Sequence, residues 1–185
     1  MAFEDVYLVT EKLETVAEDA IIALEHHLGI ALPSGYRPFM TTLGKGTFCD
    51  LVSVYSPEQI LQRQADARER WHMYYDAFWD DPDRVLSKEQ VMESILFAHT
   101  ADSDEFIVCP SLPNRTFILP RHDNTVYWTD DSFIGHHTWF GPHGSVEHLS
   151  SFKYFESNRD RQHLSLFTAQ HHLLLTDIAT FLTAY

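Results

Sequence analysis

The chain has 185 residues, of which 44% are hydrophobic and 14% aromatic, enough apolar surface to offset chain entropy and to argue against intrinsic disorder. Its 27 acidic against 13 basic side chains leave a formal net charge of -14, a field that repels phosphate backbones and anionic lipid, so neither nucleic acid nor a membrane surface is expected as a partner. Cys49 and Cys109 are too few for a disulfide framework and have no C-x-x-C spacing, and the acid-bearing start MAFEDVYLVTEKLE lacks the positive region of a signal peptide, so a reducing cytoplasm is the expected location.

Between residues 11 and 28 the apolar positions Leu13, Ala17, Ala20 or Ile21, Leu24 and Leu28 recur every three or four residues, which predicts a helix with one buried stripe, stopped by Gly29. Ser34 is placed to cap a short second helix carrying Tyr36, Phe39, Met40 and Leu43, with Pro38 in its first turn and Gly44 as its release. The run TFCDLVSVY at 47–55 is β-branched and aromatic and reads as one strand. Ser56, Pro57 and Gln59 form a capping box that opens a helix over 57–78, with Ile60, Ala67, Trp71, Tyr75 and Phe78 on its apolar stripe. A loop follows at 76–84, broken by Pro82, and Ser87 to Gln90 starts a further turn or two of helix.

SILFAHT, DEFIVCP, RTFILP and TVYWTD are four short β-type runs joined by turn residues, for which an antiparallel meander is the natural arrangement. The segment 135–144 is too rich in Gly, Pro and His for a regular element. Residues 149–155 read as a capped short helix presenting Phe152 and Phe155. A final helix over 163–184 is expected, with Leu164, Phe167, His171, Leu174, Ile178, Phe181 and Tyr185 on one stripe. The pattern is α+β: a mostly antiparallel sheet of about five to six strands, with helices towards both ends of the chain.

Leu32-Pro33, Tyr36, Phe39-Met40 and the glycine turn Gly44 to Gly46 resemble the pattern of the SUKH superfamily, the Smi-Knr group that includes bacterial immunity proteins and cell-wall regulators. Ser56 to Ile60, the strand pair around SILFAHTADSDEFIVCP, the HDN turn and LSSFKYF follow in that family's order. The resemblance implies a single domain over 1–185, with a family core at about 21–156 and a C-terminal helical extension at 163–184. It also implies that Leu32, Pro33, Tyr36, Phe39, Gly44 and Gly46 hold the fold together, and that many bacterial members neutralise a toxin by direct binding.

His136, His137, His143 and His148 fall close together in sequence and are weak candidates for a metal site; no cysteine or H-E-x-x-H pattern accompanies them, so no metal or other cofactor is expected. No nucleophile stands beside a base in a known motif, and there is no P-loop or dinucleotide fingerprint, so the expectation is a non-enzyme. The features that point to a partner are aromatics set among acids. Trp79 with Asp80, Asp81 and Asp83 makes one group, and Asp102, Asp104 and Glu105 with Trp128, Asp130 and Asp131 make another. Charge and resemblance together lead to an immunity protein that blocks a basic toxin domain. The alternative is a regulatory or scaffold module of the same fold, and a His-loop metalloprotein is the third reading.

Overall fold

A computed structural model of the chain describes residues 3, 6–9, 12–79, 85–130 and 153–157. Its strands are β1 (Val6–Leu8), β2 (Gly46–Phe48), β3 (Val52–Val54), β4 (Ile95–Thr100), β5 (Glu105–Val108), β6 (Arg115–Leu119), β7 (Tyr127–Asp130) and β8 (Lys153–Ser157). Its helices are α1 (Glu18–Leu28), α2 (Tyr36–Thr42), α3 (Pro57–Phe78) and α4 (Lys88–Glu93). The class is α+β as expected, but the sheet is larger than five or six strands: among the described residues eight pair in the order β1-β8-β2-β3-β4-β5-β6-β7. All neighbours are antiparallel except β1 and β8, which run parallel.

The expected meander β4-β5-β6-β7 is present in full. Its inner residues Leu96, Ile107 and Phe117 stand opposite one another in register and are fully buried. The register slips between Leu96 and Ala98, and the buried Gln64 of α3 serves the start of β4. Its amide donates to the Ser94 carbonyl at 2.7 Å and accepts from the Leu96 N–H at 3.1 Å. Both backbone groups are thereby satisfied away from water.

α3 begins where its capping box predicts. The Ser56 hydroxyl accepts from the Gln59 N–H, and the Gln59 side chain accepts from the Ser56 N–H at 2.9 Å, with Pro57 at the first helical position. Ile60, Ala67, Trp71 and Tyr75 form the buried stripe, and each large apolar side chain so buried contributes about 1.5–3 kcal/mol. Ser87 and Gln90 repeat the same box at α4.

The corner at 28–48 is built as its residues suggest. α1 ends at Gly29, and the Tyr36 N–H turns back to the Pro33 carbonyl at 2.8 Å. Phe39 meets Phe3, Phe48 and Phe155 edge to face, with ring centroids 5.9, 6.4 and 5.6 Å away. Gly44 has φ +82°, and a Cβ there would stand 2.1 Å from the Glu14 carbonyl oxygen. At Gly46 a Cβ would meet the Glu156 carbonyl oxygen at 2.2 Å and the Phe155 ring at 2.3 Å. The glycines of this turn are therefore required by close approach: one seats the N-terminal segment, the other lets β8 lie against β2.

Several sequence expectations need correction. The run at 47–55 is a hairpin, β2 turning into β3, because Cys49 and Asp50 take positive φ (54° and 52°) and the Leu51 N–H closes on the Phe48 carbonyl at 3.1 Å. Cys49 thus lies in a turn, not a strand. α1 starts at Glu18, not residue 11, because the chain before it is held extended: Glu14 bridges to Gly44 and the Val16 N–H donates to Met40. The cap position of α2 is Gly35, with no side-chain cap, so Ser34 does not serve there. Lys153–Ser157 is a strand rather than the end of a helix, since pairing with β1 on one side and β2 on the other outweighs local preference. β1 itself was not foreseen. The expected helix over 163–184 and the segment 135–144 lie outside the described residues.

Candidate functional site

Trp79 of the first aromatic and acidic group and Asp104 and Glu105 of the second meet at the end of β6. Trp79 caps the C-terminus of α3 and is 5% exposed, with its indole N–H donating to the Pro120 carbonyl at 3.3 Å. The next residue, Arg121, donates its backbone N–H to Asp104 Oδ1 at 2.9 Å. Asp104 also closes the β4-β5 turn: its N–H donates to Thr100 Oγ1 at 3.0 Å, and its Oδ2 accepts from the same hydroxyl at 3.3 Å. Glu105 Oε2 accepts from the Trp71 indole at 2.5 Å, and its other oxygen is ion-paired with Arg70. Asp102 is exposed at the tip of that turn.

Trp128 stands apart from this knot. It lies on the edge strand β7 opposite Phe117, and it is 46% exposed with the Arg115 guanidinium 4.3 Å from its ring centroid. Asp130 is in register with Arg115. The structure therefore brings Trp79, Asp104 and Glu105 to one end of β6, turns the first inward, and leaves Asp102 and Trp128 on the surface. Asp80, Asp81, Asp83, Asp131, His136, His137, His143 and His148 lie outside the described residues. Among the described residues no group of three or more His, Cys, Asp or Glu is arranged to hold a metal ion.

Sequence reasoning missed a cleft of about 320 Å³ between α3 and the ends of the central strands. Arg63, Arg70 and Tyr74 line it from the helix, and Tyr55, His99 and Arg121 from the sheet side. Arg63 stacks over Tyr55 with its guanidinium carbon 4.7 Å from the ring centroid, and Arg121 stacks likewise over Tyr74 at 4.4 Å. Tyr55 in turn stacks on His99, centroids 5.1 Å apart. Burial pushes the Tyr55 hydroxyl above its ordinary pKa, and the positive charge of Arg63 offsets part of that rise. A signal was present: Arg63, Arg70 and Tyr74 recur at spacings of seven and four, one helical stripe beside the apolar one.

A second depression, of about 480 Å³, lies at the Leu32-Pro33 corner. Of its two arginines, Arg37 pairs with Glu25 at 2.6 Å and Glu18 at 3.1 Å, and Arg115 stacks over Trp128. Nearby, the buried Cys109 thiol lies 3.2 Å from Glu93 Oε1 and the Ser111 hydroxyl, and hydrogen bonds from Ser111 and Cys109 hold the Glu93 carboxyl below its usual pKa.

Among the described residues no helix is long and apolar enough to cross a membrane. No curated protein matches the chain. Residues 15–155, well over half the chain, match the SMI1 / KNR4 family (SUKH-1), and the match takes in the Leu32-Pro33 corner, the glycine turn, the meander and the buried Phe155 of β8. The chain belongs to the SMI1 / KNR4 family (SUKH-1).

Proposed function

We propose that the protein is a non-enzymatic binding module that acts in the cytoplasm as an immunity protein, occluding a basic toxin domain by direct contact. The observation that carries this reading is Trp128, a large aromatic side chain left half exposed on the edge strand of a sheet in a molecule of net charge -14. Indole side chains supply a large share of binding energy at interfaces, and surrounding acids speed encounter with a basic surface. Family membership supports a protein-binding role, and it accommodates both immunity proteins and Smi-Knr modules.

On this reading the contact surface centres on Trp128 and Asp102. Asp130 and Asp131 follow Trp128 in sequence, and Asp80, Asp81 and Asp83 follow Trp79 as a second acidic group. The whole chain acts as one domain, its C-terminal 163–184 segment included. A pull-down from the native host, with captured proteins identified by mass spectrometry, tests the proposal. Recovery of a basic toxin domain supports it, and recovery of a cellular regulator moves the assignment to a scaffold module of the same fold.

A further inference from the structure

We propose that the cleft between α3 and the end of β6 is a carboxylate-binding site whose occupant is an acidic side chain of a protein partner. This goes beyond the acidic-surface reading, because here the partner supplies the negative charge. Arg63 and Arg121 reach the cleft from different elements, one from α3 and one from the residue pair that follows β6. Each guanidinium lies over a tyrosine ring, which fixes its plane while leaving in-plane N–H donors for a ligand. Among the described residues neither arginine makes an ion pair, whereas Arg70 is held by Glu105 and Arg37 by two glutamates.

In a chain of net charge -14, two cations without carboxylate partners in one cleft are the local exception, and they complement an anion. Glu105 lines the cleft and Asp104 holds the backbone of Arg121, so a dianion such as phosphate meets repulsion that a carboxylate meets less. A carboxylate also presents two coplanar oxygens to the guanidinium fork. The volume of about 320 Å³ is small for a nucleotide or cofactor, and both arginines are solvent-exposed, which suits a side chain offered by an apposed protein surface.

The test is a titration of the full chain with the blocked peptide acetyl-Gly-Glu-Gly-amide and its Gln counterpart, read at the indole N–H signals of Trp71 and Trp79. Glutarate and inorganic phosphate serve as comparison ligands. The expected result is a saturable shift with the Glu peptide and none with the Gln peptide. Binding should weaken about tenfold in Arg63→Gln and in Arg121→Gln, the loss of one charge-assisted hydrogen-bonding partner. Equal response to both peptides, no response to either, or unchanged binding in both arginine variants overturns the site. Glutarate binding more tightly than the peptide overturns the protein source, and tighter binding of phosphate overturns the carboxylate. Both substitutions are at exposed positions, so the variants keep the fold. Because the probe is a peptide and not the native partner, the result stands or falls separately from the immunity reading.

Discussion

The Tyr36 hydroxyl donates to the Tyr55 carbonyl at 2.7 Å, joining the short helix α2 to the residue that leaves β3. Both side chains are buried, and burial together with the nearby Glu25 and Glu58 charges holds the Tyr36 hydroxyl far above its ordinary pKa. Tyr36→Phe keeps the ring against Phe97 but leaves a buried carbonyl unsatisfied. The expected cost is about 1–3 kcal/mol. At about 2–4 °C per kcal/mol for a chain of this size, calorimetry should register a clear fall in melting temperature. An unchanged melting temperature would remove this bond from the account of the corner.

Gly46→Ala tests the other end of the same corner. The added methyl would sit within 2.3 Å of both the Glu156 carbonyl and the Phe155 ring, so β8 must shift or detach from β2. A loss of about 2–3 kcal/mol is expected, at the upper end of overpacking costs. Amide exchange resolved along the chain should show protection falling at 153–157 before it falls in the β4-β5-β6 meander. A uniform loss would mean that β8 and the meander unfold as one unit.

Gln64→Leu removes a buried amide that serves two backbone groups at the start of β4. Leucine fills much the same volume but leaves the Ser94 carbonyl and the Leu96 N–H without their partner. Denaturant unfolding should show a loss of about 2–4 kcal/mol despite the gain in hydrophobicity. A neutral or stabilised variant would contradict this role for Gln64.

Tyr127 gives the alkaline signature. Its hydroxyl donates to Asp123, which pushes its pKa up to about 12 from the ordinary 10.0, with partial burial adding to the rise. A folded-state value above the unfolded one favours the protonated form. The contribution to stability is therefore complete below pH 10 and is lost as pH climbs towards 12. A difference titration of ultraviolet absorbance, wild type against Tyr127→Phe, should place this phenol well above an exposed tyrosine. Asp123→Asn should bring it back down. A Tyr127 titration at the ordinary value would break the assignment.

How legible this was from sequence differed with the source of the signal. The start of α3 was readable because its capping box is written in adjacent residues, and the meander because each run is short, β-rich and bounded by turn residues. β8 was not readable. Its fate depends on β1 and β2, which lie far away in sequence, and on Gly46 yielding space that no local pattern records. The split of the 47–55 run hid behind β-branched residues, although Asp50 within it was a turn former. Of the site, the position of Trp128 near a strand end could be foreseen. The inward turn of Trp79 could not, because the Pro120 carbonyl that receives its indole is forty-one residues away.

Trp128→Ala separates binding from folding. The side chain is half exposed on an edge strand, so stability should change by no more than about 0.5–1 kcal/mol. Affinity for the partner should fall at least about tenfold if the indole is an interface anchor. Equal affinity in calorimetric titration of wild type and variant would exclude Trp128 from the contact.

On the proposed function, an acidic surface on this family scaffold engages a basic protein. The most direct test is the affinity of the captured partner measured across a salt series, for the wild type and for a variant with Asp102, Asp130 and Asp131 changed to asparagine. The account expects a basic partner whose affinity for the wild type falls steeply as salt rises, with a shallower dependence and weaker binding in the variant. A partner that binds equally well at every salt concentration, and to the variant as to the wild type, would contradict it.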